Sequence, residues 1–153
     1  MRDYYLDELK PGDAFRSPSF VLTERDLIEF AEKYDPQPFH LDRDAAKASH
    51  FGGLVAGGFQ TAALAWALAQ KTGVFRKSSL AGIGVDGLRW RRPVWVDDTL
   101  ICRFELLKTR ISSSRPGQGI AVWRFDVFNQ RDEIVLTMRM TQLLKCRDAK
   151  TRE

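Results

Sequence analysis

Apolar residues recur at every second position through most of the second half of the chain. The alternation is clearest over Leu100–Leu107, Trp123–Val127 and Ile134–Thr141, and it is weaker over the glycine-containing segment Leu80–Trp90. Side chains of a strand point alternately to its two faces, so this period is typical of strands that bury one face. The pattern predicts four consecutive antiparallel strands joined by short turns.

The first half of the chain has helical periodicity instead. Apolar residues between Leu27 and Tyr34 recur at the spacing of one helical face. Thr23 is a favourable N-cap for this helix, and Asp26 stands where a capping-box acid would stand. The helix is expected to end near Tyr34, because the residue before Pro36 is displaced from helical backbone angles.

A second, longer helix is predicted over Phe59–Thr72, with Gly73 as its C-terminal stop. Its apolar residues go nearly all the way round, so we expect it to be buried. A short helix over Asp42–Ser49 precedes it, and an extended segment over Ala14–Leu22 precedes all the helices. This order indicates an α+β domain in which an antiparallel sheet packs against one buried helix.

Length and composition fit one domain of ordinary size. The chain has 153 residues, of which 44% are apolar and 29% charged, so it can bury a core without metal ions or disulfides. Its longest uninterrupted apolar run, Ala62–Ala69, is far shorter than the roughly 20 residues of a membrane-spanning helix. No secretion signal is expected either. We therefore predict a cytoplasmic domain over residues 1–146, followed by a polar tail over residues 147–153.

The net charge of +4 is spread along the chain rather than concentrated in a basic run. Since no nucleic-acid-binding motif is present, we do not expect a nucleic-acid partner. The densest basic cluster is Arg89, Arg91 and Arg92, which is either a solvated strand face or a contact for the phosphates of a ligand. Cys102 and Cys146 lack metal-ligand spacing, and both are expected to be reduced.

Candidate chemistry is concentrated between the two long helices. Asp35 and His40, one of only two histidines, are separated by Pro36-Gln37-Pro38-Phe39. The prolines restrict the backbone and would hold the two side chains in a fixed relation on a non-helical link. A carboxylate beside an imidazole can hold and activate a water molecule. The alternative is a surface turn in which both residues are incidental, and spacing alone favours that simpler interpretation.

Gly57 and Gly58 precede the long apolar helix. A helix N-terminus offers free N–H groups and the positive end of the helix macrodipole, which can stabilise negative charge on a substrate oxygen. The alternative is a flexible loop that ends one helix and starts another, and without a further observation that is again the simpler interpretation.

Several short motifs occur in a defined order along the chain. Asp35-Pro36-Gln37-Pro38-Phe39-His40 is followed by Asp42, Ala45 and Ala46, then by Phe51-Gly52-Gly53 and Gly58. Upstream stands Leu9-Lys10-Pro11-Gly12-Asp13, and downstream stand Arg92-Pro93-Val94 and Asp98-Thr99-Leu100. In this order the motifs resemble the MaoC-like dehydratase family, which includes the (R)-specific enoyl-CoA hydratases. The likeness runs through nearly the whole chain.

The resemblance implies the hot-dog fold, in which an antiparallel sheet wraps one long helix. Carried over by position, it makes Asp35 and His40 the catalytic pair and Gly58 the residue whose N–H binds the thioester oxygen. The implied reaction is the reversible addition of water to the C2=C3 double bond of a trans-2-enoyl thioester. Coenzyme A is then part of the substrate, and no metal or other cofactor is implied. Subunits of this fold commonly pair their sheets, so we expect a homodimer or larger homo-oligomer.

Three positions depart from the family pattern. Gln37 stands where Asn is usual, Gly57 where many hydratases have His or Ser, and Asp97 where Gly is usual. These changes leave the catalytic pair intact. The fold also accommodates a thioesterase, although the helix Phe59–Thr72 carries no acid to act as its catalytic carboxylate, and a non-catalytic acyl-binding module.

Other conspicuous residues have structural interpretations. His50 has no partner in the motif, and Cys102 belongs to the buried face of a strand. Trp66 is expected in the core, with the wall of an acyl-binding tunnel as the alternative. Trp90 lies in a strand-like context and is expected to serve packing.

Overall fold

The computed structural model of the protein describes residues 2–147 and contains one antiparallel sheet. Its strands are β1 (Ala14–Arg16), β2 (Phe20–Val21), β3 (Ser79–Trp90), β4 (Thr99–Ile111), β5 (Gln118–Phe128) and β6 (Ile134–Lys145). They lie in the order β1-β4-β5-β6-β3, with β2 also paired to β4. The four long strands confirm the prediction made from the two-residue alternation.

The helices lie between β2 and β3 in the chain. They are α1 (Glu24–Tyr34), α2 (Pro38–Leu41), α3 (Arg43–Ala48) and α4 (Gly58–Lys71). Thr23 is the N-cap of α1, as predicted: its hydroxyl accepts the Asp26 N–H, and the Asp26 carboxylate accepts the Thr23 N–H. Asp42 caps α3 by accepting the Ala45 N–H at 2.7 Å. Asp42 is also the C-cap of α2, so it ends the short helix that contains His40.

The core lies between α4 and one face of the sheet. It joins Ala65 and Leu68 of α4 to alternate residues of the strands, among them Phe104 and Trp123. Trp66 stacks on Phe75 with ring centroids 6.0 Å apart. The expectation that Trp66 belongs to the core is therefore confirmed.

The expectation that α4 is buried all round is wrong. Phe59 is 64% exposed, and Ala63 and Ala67 are exposed as well. The sheet covers only one face of the helix, and alanine is a strong helix former whose small side chain adds little apolar surface when exposed. The helix is thus half covered within a single chain.

The predicted extended segment Ala14–Leu22 is divided into two short strands. Ser17 donates its N–H to the Cys102 carbonyl, and its hydroxyl accepts the Cys102 N–H, so both groups are satisfied beside β4. Pro18 follows and has no N–H to continue the ladder. The break between β1 and β2 therefore falls at Pro18.

At the opposite edge, β3 pairs with β6 and has no strand on its other side within residues 2–147. Almost all of its residues are exposed, including Leu80, Ile83 and Val85. Arg147, the first residue of the predicted tail, donates its N–H to the Asp7 carboxylate and pairs with Glu8. The rest of that tail lies outside the described residues.

No helix in the described range has the length and hydropathy that crossing a membrane requires.

Candidate active site

Asp35 lies at the C-terminal end of α1, where its N–H donates to the Ala31 carbonyl at 3.0 Å. Its side chain is only 16% exposed. The side-chain amide of Gln37 donates to Oδ1 of Asp35 at 2.8 Å. One carboxylate oxygen is thereby held by Gln37, and the other, Oδ2, is left for the cavity.

His40 lies in the short helix α2, so the expectation of a wholly non-helical link is wrong. Pro38 occupies the first turn of α2, where the missing proline N–H would be unsatisfied in any case. The imidazole ring of His40 is buried, and its Nδ1 has a hydrogen-bond partner in the Val55 carbonyl at 2.7 Å. A carbonyl can only accept, so the proton is assigned to Nδ1.

The structure brings the two predicted catalytic residues together. Nε2 of His40 lies 3.5 Å from Oδ2 of Asp35, which is long for a direct hydrogen bond. In neutral His40 with its proton on Nδ1, Nε2 is an acceptor, as Oδ2 is. Both atoms can therefore accept hydrogen bonds from one hydroxyl group or water molecule placed beside them.

The N-terminus of α4 completes this group. Gly57 is the N-cap and has no side chain to occupy the end of the helix. A β-carbon at Gly57 would lie 2.7 Å from Oδ2 of Asp35, so the carboxylate lies against the α-carbon of this glycine. Among residues 2–147, no acceptor is bonded to the N–H of Gly58. The positive end of the helix therefore faces the same space as the Asp35 carboxylate.

Gly58 is covered on its other side by Trp90. The indole N–H donates to the Gly58 carbonyl at 2.7 Å, and a β-carbon at residue 58 would overlap the indole ring. The ring of Phe59 meets the same indole edge to face, with centroids 5.6 Å apart. Any residue larger than glycine at position 58 would force the indole to move.

A cavity of about 440 Å³ opens onto these groups. Asp35, His40 and Gly58 all line it. So do two aromatic pairs, Phe39–Phe51 on the His40 side and Phe59–Trp90 at Gly58. This volume falls within the range of about 300–1,000 Å³ for small-molecule sites. The cavity therefore combines polar groups that can exchange protons with aromatic walls.

The predicted basic cluster is divided by the structure. Arg91 and Arg92 line the cavity, and Arg89 does not. Arg91 donates to the Thr137 hydroxyl at 3.1 Å, and Arg92 lies 3.9 Å from a Glu133 carboxylate oxygen. Arg91 has no acidic partner within residues 2–147, so its charge is available at the cavity.

Two of the residues predicted to be structural, His50 and Cys102, lie outside the cavity. His50 is exposed, with its ring 5.7 Å from that of Phe51. Cys102 is fully buried, and burial raises the pKa of its thiol to about 12, which makes it a poor nucleophile. Between residues 2 and 147, no three His, Cys, Asp or Glu side chains are grouped as metal ligands would be.

Sequence reasoning missed two contributors to this site. Trp90 was expected to serve packing, yet it lines the cavity and contacts Gly58. The Val55 carbonyl, which holds His40, is a backbone group that no side-chain motif reveals. For Trp90, the available signal was its position two residues before the Arg92-Pro93-Val94 motif.

Comparison with known sequences identifies relatives. The family profile described as "MaoC like domain" matches residues 8–121. The uncharacterized protein YdeM of Bacillus subtilis (strain 168) is 29% identical over 140 residues, which cover 92% of this chain and 98% of YdeM. Protein MaoC of Klebsiella aerogenes is 32% identical over 134 residues, which cover 83% of this chain but only 39% of MaoC.

Comparison with solved structures points to the same family as the sequence comparison. The crystal structure of the MaoC-like dehydratase from Rhodospirillum rubrum superposes with a TM-score of 0.86 at 33% identity, covering 95% of this chain and 99% of that one. A conserved hypothetical protein from Mycobacterium tuberculosis, described as having a double hot-dog fold, superposes with a TM-score of 0.75 at 22% identity, covering 99% of this chain and 47% of that one. The predicted hot-dog fold is confirmed, and the chain belongs to the MaoC-like dehydratase family.

Proposed function

We propose that this protein is a hydratase that adds water reversibly across the C2=C3 double bond of a trans-2-enoyl thioester, with coenzyme A as the thiol. The observation that carries the proposal is the placement of Asp35 Oδ2 3.5 Å from His40 Nε2, beside the N-terminus of α4. Membership of the MaoC-like dehydratase family supports the same reaction class.

In the proposed reaction, one water lies between Asp35 and His40 and donates hydrogen bonds to Oδ2 and Nε2. The pair takes one proton from the water as its oxygen forms a bond to C3. The electron pair of the double bond moves towards the thioester carbonyl, which becomes an enolate oxygen. A proton is then returned to C2, so one water is added and both residues regain their starting states.

The enolate oxygen is the group that needs stabilisation in this reaction. The Gly58 N–H, which carries no acceptor within the described chain, would donate to it. The helix macrodipole adds to the effect, because its positive end is at the same place. Preorganised donors of this kind contribute about 10²–10³-fold to turnover in other enzymes. The chemistry proposed requires no metal and no redox cofactor.

Two positively charged side chains at the cavity support the choice of coenzyme A. Arg91 and Arg92 line the cavity, where they can contact phosphates of a substrate whose acyl end reaches Asp35 and His40. The thioesterase alternative finds no support at α4, because Gly58–Lys71 contains no Asp or Glu to act as its carboxylate.

The unpaired edge of β3 supports the proposal of a homodimer. A long exposed strand presents a row of free N–H and C=O groups, and Leu80, Ile83 and Val85 expose apolar surface beside them. Pairing with β3 of a second copy would satisfy both. Sedimentation at micromolar concentration should give twice the monomer mass, and a monomer under those conditions would contradict the pairing.

A panel of trans-2-enoyl-CoAs of increasing chain length tests the function. Hydration removes the conjugated double bond, so turnover is followed as loss of the absorbance of the conjugated thioester. We expect turnover of at least one member by the native protein and near-complete loss in His40→Ala, with His50→Ala as the matched control. Release of free thiol without loss of the double bond would support a thioesterase, and binding without either reaction would support an acyl-binding module.

A further inference from the structure

Trp90 bounds the catalytic cavity from a part of the chain that contributes no catalytic group. It is the last residue of β3, far in sequence from Asp35, His40 and Gly58. Resting on the function proposed above, we propose that Trp90 is a specificity-determining residue, whose indole forms the wall that limits the size of the acyl group.

The indole is held in place by contacts within the chain. Its N–H donates to the Gly58 carbonyl at 2.7 Å, the N–H side of its ring lies against the α-carbon of Gly58, and its ring meets Phe59 edge to face. These contacts fix the ring plane, even though the residue is 49% exposed. A side chain with this exposure that is nevertheless fixed at three points is suited to bounding a ligand.

The position of the wall follows from the chemistry. The thioester oxygen must approach the Gly58 N–H, and C3 must approach the water held by Asp35 and His40. Because Asp35 lies against Gly57, the water at C3 and the N–H at the thioester oxygen are only a few ångströms apart, and the acyl group leaves C3 close to the start of α4. This group is wholly apolar, so it needs an apolar surface there. Trp90 and Phe59 supply such a surface, whereas Arg91 and Arg92 suit the polar remainder of the substrate.

The size of the cavity makes this wall decisive. About 440 Å³ must hold the enoyl thioester group and the adjoining part of its carrier. That is near the lower end of the range for small-molecule sites. Trp90 is the largest side chain at its boundary. We therefore expect a preference for short acyl groups in the native protein and a broader range when the indole is removed.

The test compares the C4 and C8 trans-2-enoyl-CoAs in the native protein, Trp90→Ala and Trp90→Phe. One methylene in an apolar pocket changes discrimination about 10–200-fold. Trp90→Ala should therefore raise the C8-to-C4 ratio of kcat/KM at least about tenfold. Trp90→Phe keeps an aromatic ring on Gly58 and should retain most of the native ratio. Ile111→Ala, which removes an apolar side chain of similar exposure at the end of β4, should leave the ratio unchanged.

An unchanged ratio in folded Trp90→Ala would overturn the inference while leaving the hydratase function standing. If Trp90→Ala does not fold, Trp90→Leu must shift the ratio in the same direction, or the inference fails. If the native protein hydrates no enoyl-CoA, the hydratase proposal fails, and calorimetry with butanoyl-CoA and octanoyl-CoA tests Trp90 directly. Trp90→Ala must then shift the ratio of their affinities towards octanoyl-CoA. The same ratio as in the native protein, or no binding of either, would overturn the inference.

Discussion

The carboxylate of Asp35 lies directly against the α-carbon of Gly57, so closely that a β-carbon there would stand 2.7 Å from Oδ2. Residue 57 is one of the positions at which this chain departs from the family pattern, in which many hydratases have His or Ser. In this chain the Asp35 carboxylate occupies the space that such a side chain would need. The identity of residue 57 and the position of the Asp35 carboxylate are therefore linked.

Gly57→Ala should lower turnover without unfolding the protein. The new methyl group displaces Asp35 from His40, and a displacement of about 1 Å in a catalytic group can cost about 10²-fold in rate. Steady-state kinetics and circular dichroism together measure the effect. Gly84→Ala is the matched control, because no atom lies within 4 Å of its added β-carbon. Full activity in Gly57→Ala would show that Asp35 does not need its present position.

Asp35→Asn and His40→Ala should each lower kcat by about 10²–10⁴-fold, the usual contribution of general acid–base catalysis. Because the two residues share one water, the double variant should be little worse than the poorer single variant. Single-turnover rates of the three variants measure this coupling. Multiplicative losses in the double variant would mean that the residues act on different steps.

Binding of free coenzyme A should weaken as salt rises, since charge interactions at exposed sites are screened over about 8–10 Å. Arg91→Ala and Arg92→Ala should each weaken binding and reduce its salt dependence, because both residues line the cavity. Arg89→Ala, which removes an arginine outside the cavity, is the matched control. Calorimetry at two salt concentrations gives the comparison, and equal effects of all three changes would contradict a site at this cavity.

Asp97→Gly should stabilise the protein. Asp97 has a φ of 66°, in the left-handed region that glycine adopts without steric cost, and its N–H is committed to the Leu22 carbonyl. The relief of backbone strain is partly offset by the greater freedom of glycine in the unfolded chain, so the gain should be about 0.5–1 kcal/mol. Urea unfolding measures it. Asp97→Ala should show no such gain, and a loss of stability in Asp97→Gly would show that the carboxylate matters more than the backbone.

Stability should fall as the pH is lowered from about 4.5 to about 2. The Arg147 guanidinium and the Tyr5 N–H lower the pKa of Glu8 from 4.5 to about 2. The unfolded chain then binds more protons than the folded one across that window, so acid favours unfolding. Glu24 and Glu133, whose pKa values are also lowered, act in the same direction.

Urea midpoints measured across this pH range should therefore depend less on pH in Glu8→Gln than in the native protein, while the variant is less stable at neutral pH. Identical slopes in the two proteins would show that the contact between Glu8 and Arg147 does not contribute to acid sensitivity.

Periodicity was sufficient to predict the four long strands and the helices α1 and α4, because burial imposes a period of two or of 3.6 on an element with one covered face. The Thr23 and Asp42 caps were equally readable, since their partners lie three residues away. The motif that joins Asp35 to His40 located the candidate pair for the same reason. Each of these features depends on residues that are close in sequence.

Features that depend on distant segments were not predicted. The exposed side of α4 depends on which face the sheet covers, and no local pattern records that. The contact of Trp90 with Gly58 joins residues 32 apart in the chain. The role of the Val55 carbonyl depends on backbone geometry alone, which leaves no trace in side-chain identity.

The reach of Trp90 from the sheet edge to the start of α4 has an evolutionary consequence. Asp35, His40 and Gly58 come from one continuous stretch of the chain, which selection can conserve as a unit. The indole comes from a separate strand. With the roles proposed above, substrate range can drift through changes at the end of β3 while Asp35, His40 and Gly58 stay fixed. A protein engineer could exploit the same separation by randomising the chain around residue 90 and leaving residues 35–58 untouched.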